Sequence, residues 1–206
     1  MTRVVVAVAA LMLSTLSATA QPFDQQHAEW NCVLRRHVGN DAAVSSVDYA
    51  AIQADPSGLR GYVAQVTGVS PTQFEAWTDA SQLAFPVNAY NALTATLTVD
   101  NYSATSIKDL GGWFSSPWMK RFFTLLGKER HLDDIEQGII WKQFDEPRIH
   151  FAVNCVAIGC PPLGTEAYGA SQLDAQPEDN TRVFMRNERR TCTRAGPEVV
   201  RAARLV

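Results

Sequence analysis

The chain has 206 residues and a net charge of −3, with 46% hydrophobic and 19% charged residues. That is enough chain for one domain with a real core. A charge so near neutral gives no electrostatic case for nucleic-acid binding.

The opening stretch MTRVVVAVAALMLSTLSATAQP predicts a secretory signal. Arg3 supplies the basic start, and Ala18-Thr19-Ala20 an A-x-A cleavage site. Val4 to Leu16 is an apolar run shorter than the about 20 residues that a bilayer span needs. Residues 1–20 are therefore expected to be removed, residues 21–190 to fold, and residues 191–206 to form an Arg-rich tail. The protein is expected to be secreted or periplasmic, with no transmembrane segment after cleavage. The tail reads as a solvated or frayed end rather than a nucleic-acid patch. All four cysteines, Cys32, Cys155, Cys160 and Cys192, follow the signal, and an even count in an oxidising compartment predicts disulfides.

Asp24 to Val38 predicts a helix capped by Asp24, with Trp30, Val33, Leu34 and His37 on one face. Cys32 lies about 200° from Trp30 on that wheel and points away from the core. After Val47 to Ile52, Asp55-Pro56-Ser57-Gly58 is a turn. Helices follow over Leu59 to Val66, Thr72 to Leu83 and Phe85 to Val99, the last with Pro86 in its first turn. Ser106 to Gly112 is a loop, and Trp113 to Leu125 an aromatic-rich, half-buried stretch. Leu132 to Phe144 is a helix with Asp133 and Asp134 at its positive end. Arg148 to Cys155 is the best strand by alternation and β-branching. One short helix follows Gln172. The chain therefore reads as α+β: a single helix-rich domain with a small β-sheet, stabilised by disulfides.

Chemistry concentrates in Arg148, His150, Asn154, Cys155 and Cys160. On a straight strand Cys155 shares a face with Ile149, Phe151 and Val153, while Arg148, His150 and Asn154 share the other. His150 and Cys155 then face opposite sides, which argues against a Cys–His dyad. Cys155 and Cys160 are five residues apart, with Gly159 allowing a tight turn between them. Their Cα atoms can approach to the roughly 4.4–6.8 Å that a disulfide needs. A structural disulfide is the first reading, and Cys32 with Cys192 follows as the second bond. A thiolate nucleophile or redox pair comes next. A metal site comes last, because C-x₄-C is not a usual zinc spacing.

Glu136 falls inside the apolar face of the Leu132 helix, where a carboxylate must be paired, hydrogen-bonded or protonated. Arg148, His150 and Lys108 are the partners expected for it. Asn88 and Asn91 share a face of the Phe85 helix beside Tyr90 and Leu93. Two readings are open for these amides: holding a neighbouring loop through its backbone, or binding a polar ligand.

Four segments together resemble the family known as domain of unknown function 547: LAFPVNAYNALT (Leu83 to Thr94), SIKDLG (Ser106 to Gly111), LDDIEQGII (Leu132 to Ile140) and EPRIHFAVNCVAIGCPPL (Glu146 to Leu163). VDYAAI (Val47 to Ile52) and EAYGASQLD (Glu166 to Asp174) match more weakly. The family pattern has Trp where Pro86 stands and His where Gln137 stands. The resemblance implies a fold and carries no established reaction.

Two functional classes compete. The first is an exported domain that binds a small molecule or protein, with Asn88, Asn91, Arg148 and Asn154 as candidate binding residues. The second is a thiol-dependent enzyme, an amide hydrolase or thiol–disulfide exchanger. There Cys155 is the nucleophile, His150 the base or orienter, and Glu136 sets the local charge. Neither class calls for a cofactor or metal. The binding or structural module is favoured, because it uses the cysteines as disulfides.

Overall fold

A computed structural model describes residues 22–41, 44–102, 117–156 and 160–186. The expected signal, the Ser106–Gly112 loop with Lys108, and the tail with Cys192 lie outside the described residues.

The helix α1, Ala28–His37, buries Trp30, Val33 and Leu34. It packs on α3, Ser57–Thr67, where the Trp30 and Tyr62 rings stack with centroids 5.7 Å apart. Before α1 the chain is pinned rather than helical. The Asp24 carboxylate accepts the backbone N–H groups of Gln26 and Ala28, both at 2.9 Å, an Asx-type turn that stops the helix from starting there. Phe23 packs its ring against Trp77, Phe85 and His27. Between α1 and α3 lie a hairpin of β1, Val38–Asp41, and β2, Val44–Val47, and then α2, Tyr49–Ala54.

The single helix expected over Thr72 to Leu83 is divided between a short helix and the start of a long one. The first, α4, Pro71–Glu75, is capped by the Ser70 hydroxyl. The second element begins at Asp79, because Thr78 accepts the Ser81 N–H and caps a new helix. This is α5, Asp79–Asp100, which starts six residues before the Phe85 expected from sequence. Pro86 consequently sits inside the helix, where it withholds the N–H that the Gln82 carbonyl would accept. Packing outweighs that loss: every residue from Ala84 to Leu97 is buried. A helix buried on all sides is the centre of the core. The helices α2 and α3, and later in the chain the stretch Leu132–Ile140 and the turn Ala170–Gln172, pack around it.

A second hairpin joins β3, Phe123–Leu125, to β4, Lys128–Arg130. Its two turn residues, Leu126 and Gly127, have φ of 51° and 71°, the left-handed pair of a type I′ turn. Among the described residues the β part of this α+β fold is thus two separate antiparallel hairpins.

The predicted Leu132–Phe144 helix forms with a defect. It runs as α6, Leu132–Ile135, a π-helical turn, Glu136–Ile140, and α7, Trp141–Gln143. His131 and Asp134 cap it reciprocally, through the Asp134 N–H on the His131 Nδ1 and the His131 N–H on the Asp134 carboxylate. The largest departure from the sequence reading follows. Pro147–Phe151 is a 3₁₀ turn, not the start of a strand. Pro147 fixes the first φ, and the Glu146 carboxylate accepts the Arg148 N–H at 3.0 Å. The chain then winds, burying Ile149 and leaving His150 exposed. The helix α8, Ala175–Arg186, packs on that turn. Among the described residues no helix is long and apolar enough to cross a membrane.

Candidate functional site

The segment from Ala152 to Gly169 holds Cys155 and Cys160 and is irregular where described. Without a partner strand its backbone polar groups need other partners, and amide side chains supply them. An Asn or Gln amide carries a donor and an acceptor, as a peptide does. Asn91 donates to the Ala152 carbonyl and accepts the Asn154 N–H, each at 2.9 Å. One turn earlier on α5, Asn88 donates to the Tyr168 carbonyl at 2.8 Å and accepts its N–H at 2.9 Å. From α8, Asn180 donates to the carbonyls of Phe151 and Pro162, and Gln176 brackets Ala167 and Gly169. From α1, Asn31 accepts the Ala167 N–H at 2.7 Å. Asn88 and Asn91 are 0% and 3% exposed, so their polar groups are turned to the protein and not to solvent.

Asn154 fastens the cysteine loop from within. Its Oδ1 accepts the Val156 N–H at 2.9 Å and its Nδ2 donates to the Pro161 carbonyl at 2.6 Å. Cys155 and Cys160 form a disulfide, with Cα atoms 5.9 Å apart. Cys155 is half-buried, while Cys160 is 6% exposed. Val156, next to Cys155, has φ of 57°, a left-handed conformation that a β-branched side chain resists. Cys32 is exposed on α1 and bonds no cysteine among the described residues. It lines a cleft of about 610 Å³ with Arg35, Arg36, His37 and Asp55. Its expected partner, Cys192, is outside the described residues.

Glu136 opens the π-helical turn and is half-buried. It stands beside the hydroxyl of Tyr90 on α5, and no ion pair joins it to Arg148 or His150; Lys108, the third partner expected for it, lies outside the described residues. The Trp118 side chain also lies against the Tyr90 hydroxyl. Burial, then the adjacent Glu136 charge, pushes the Tyr90 phenol far above its ordinary range, so it stays a donor. Arg148 instead makes a two-pronged pair with Glu146, at 2.8 and 2.5 Å, and reaches the Asp174 carbonyl at 3.1 Å. The hydrogen bonds from Arg148 hold the Glu146 carboxyl below its usual range. His150 lies outside, its ring 6.0 Å from that of Trp141 and 5.7 Å from that of Phe151.

The structure therefore joins Asn91 and Asn154 to the cysteine loop, and Glu136 to Tyr90. Among the described residues no hydrogen bond or ion pair links any two of Cys155, His150 and Glu136. Nor is any group of three or more His, Cys, Asp or Glu placed to hold a metal ion. Sequence reasoning missed Gln176 and Asn180, although their four-residue spacing puts both on one face of α8, as with Asn88 and Asn91 on α5. Tyr90 and Trp118 gave no comparable signal, because their partners come from other elements.

The chain belongs to a family described as a protein of unknown function, DUF547, whose model matches residues 74–185, more than half of the chain. That span includes the two asparagines of α5, the π-helical turn and the cysteine loop, and excludes Cys32 and Cys192. No curated protein and no solved structure matches the chain.

Proposed function

We propose that this chain is an exported domain, secreted or periplasmic, that binds a ligand or partner and does not hydrolyse amides through Cys155. The observation that supports this reading is that each group of the hydrolase scheme is already committed elsewhere. Cys155 is bonded to Cys160, Glu136 stands beside the Tyr90 hydroxyl, and His150 stands outside against Trp141. A nucleophile needs a free thiolate with a base within hydrogen-bond reach, and that arrangement is not assembled. The exposed Trp141 and His150 offer an aromatic and polar surface for recognition.

The test is alkylation and mass mapping of protein isolated from the exported fraction under non-reducing conditions. The reading expects an N-terminus near Gln21 and no label on Cys155 or Cys160. Label on Cys155, with a thiol titrating below the ordinary range, would sink it in favour of the hydrolase.

A further inference from the structure

We propose that the Cys155–Cys160 bond is an exchangeable disulfide, attacked at Cys155 by a dithiol of a partner protein, with Cys160 as the buried leaving sulfur. This goes beyond the binding reading and does not depend on it.

Four observations carry it. The two cysteines differ in access: Cys155 is half-buried and Cys160 is 6% exposed, so approach from solvent selects one sulfur and fixes the polarity of exchange. Hydrogen bonds hold the described ends of the loop independently of the disulfide. Asn154 ties Val156 to Pro161 across it, Asn91 anchors its entry at Ala152 and Asn154, and Asn180 holds its exit at Pro162. Once the bond opens, these five hydrogen bonds keep the arms together, and the sulfurs stay placed to rejoin. The bond also closes a span of only five residues, and a disulfide across a short loop constrains the unfolded chain least. Finally, Val156 holds a left-handed φ of 57° beside the less buried of the two cysteines. Backbone outliers on non-glycine residues cluster at working sites.

The exchange balances as follows. A thiolate of the partner's dithiol attacks the Cys155 Sγ and forms a mixed disulfide. The Cys155–Cys160 bond breaks, and its electron pair leaves on the Cys160 Sγ, which takes a proton. The partner's second thiolate then attacks its own sulfur in the mixed disulfide and expels the Cys155 thiolate, which is protonated. The partner dithiol is oxidised to a disulfide, and this chain gains two electrons and two protons.

The test uses the full mature chain and dithiothreitol as the dithiol probe, with isotope-coded alkylation to count each thiol and circular dichroism to follow the fold. The proposal expects reduction of the native protein with its fold retained, and faithful re-formation of the same bond on removal of the probe. In Cys160→Ser, Cys155 is expected to form a mixed disulfide with oxidised glutathione about tenfold faster than Cys160 does in Cys155→Ser. Should either variant fail to fold, the wild-type experiment still decides. A bond that opens only as the protein unfolds, or attack that falls on Cys160, would overturn the proposal.

Discussion

Asn88 satisfies both backbone groups of Tyr168 in a site that is 0% exposed. Truncating it leaves a buried N–H and a buried carbonyl without a partner, each worth about 1–3 kcal/mol. Asn88→Ala is therefore expected to lose about 2–4 kcal/mol of stability, read as a lower urea midpoint at unchanged slope. A loss within about 0.5 kcal/mol would mean that the clamp is dispensable. The i,i+3 spacing of Asn88 and Asn91 was legible in sequence, as was the need of buried amides for partners. The identity of those partners was not. They lie 80 and 61 residues further along the chain, and no local pattern encodes a contact at that distance. Glu136 shows the same boundary. Its place on an apolar face called for a partner, yet the described group beside it is Tyr90 on another helix and neither Arg148 nor His150.

At the scale of elements, the Arg148–Cys155 segment shows how a period can mislead. Ile149, Phe151 and Val153 alternate as in a strand, but the Glu146 cap and Pro147 wind the chain, and amides from α5 and α8 take the carbonyls a sheet would use. The π-helical turn was equally hidden, since it shifts a helical ladder without changing the residue pattern. Gly138 in that turn has open space where a Cβ would stand. Gly138→Ala is expected to stabilise the protein by about 0.5–1 kcal/mol, chiefly by restricting the unfolded chain. Destabilisation in calorimetry would mean that the turn needs glycine's freedom.

The segment before α1 carries the clearest pH dependence. His27 is 2% exposed, and its Nδ1 lies 2.7 Å from the Tyr62 hydroxyl. Burial lowers its pKa from 6.5 to about 4, against a smaller opposing pull from Asp24. The unfolded state then binds the proton more tightly, so the contribution is complete above pH 6.5 and is lost as pH falls towards 4. The shift corresponds to at most about 3 kcal/mol. Between those limits the wild type should lose stability that His27→Asn does not. Parallel stability–pH curves for the two proteins would show that His27 is not buried in its neutral form.

Across the whole molecule, a helix buried on all sides organises the fold, and amide side chains from α1, α5 and α8 fasten one irregular segment to it. The α+β class, the helical share and the Cys155–Cys160 bond were readable from composition, period and spacing. The hairpins' separateness and the convergence of three helices on one loop depend on tertiary packing and were not. The central claim is that Cys155 is committed to Cys160 within this fastened loop and is not a standing nucleophile. Quantitative thiol mapping of the native protein, alkylated before any reductant is added, tests it most directly. The account predicts a Cys155–Cys160 cross-linked peptide and no label on either residue. A labelled Cys155 in the folded protein, or either cysteine bonded to Cys32 or Cys192, would contradict it.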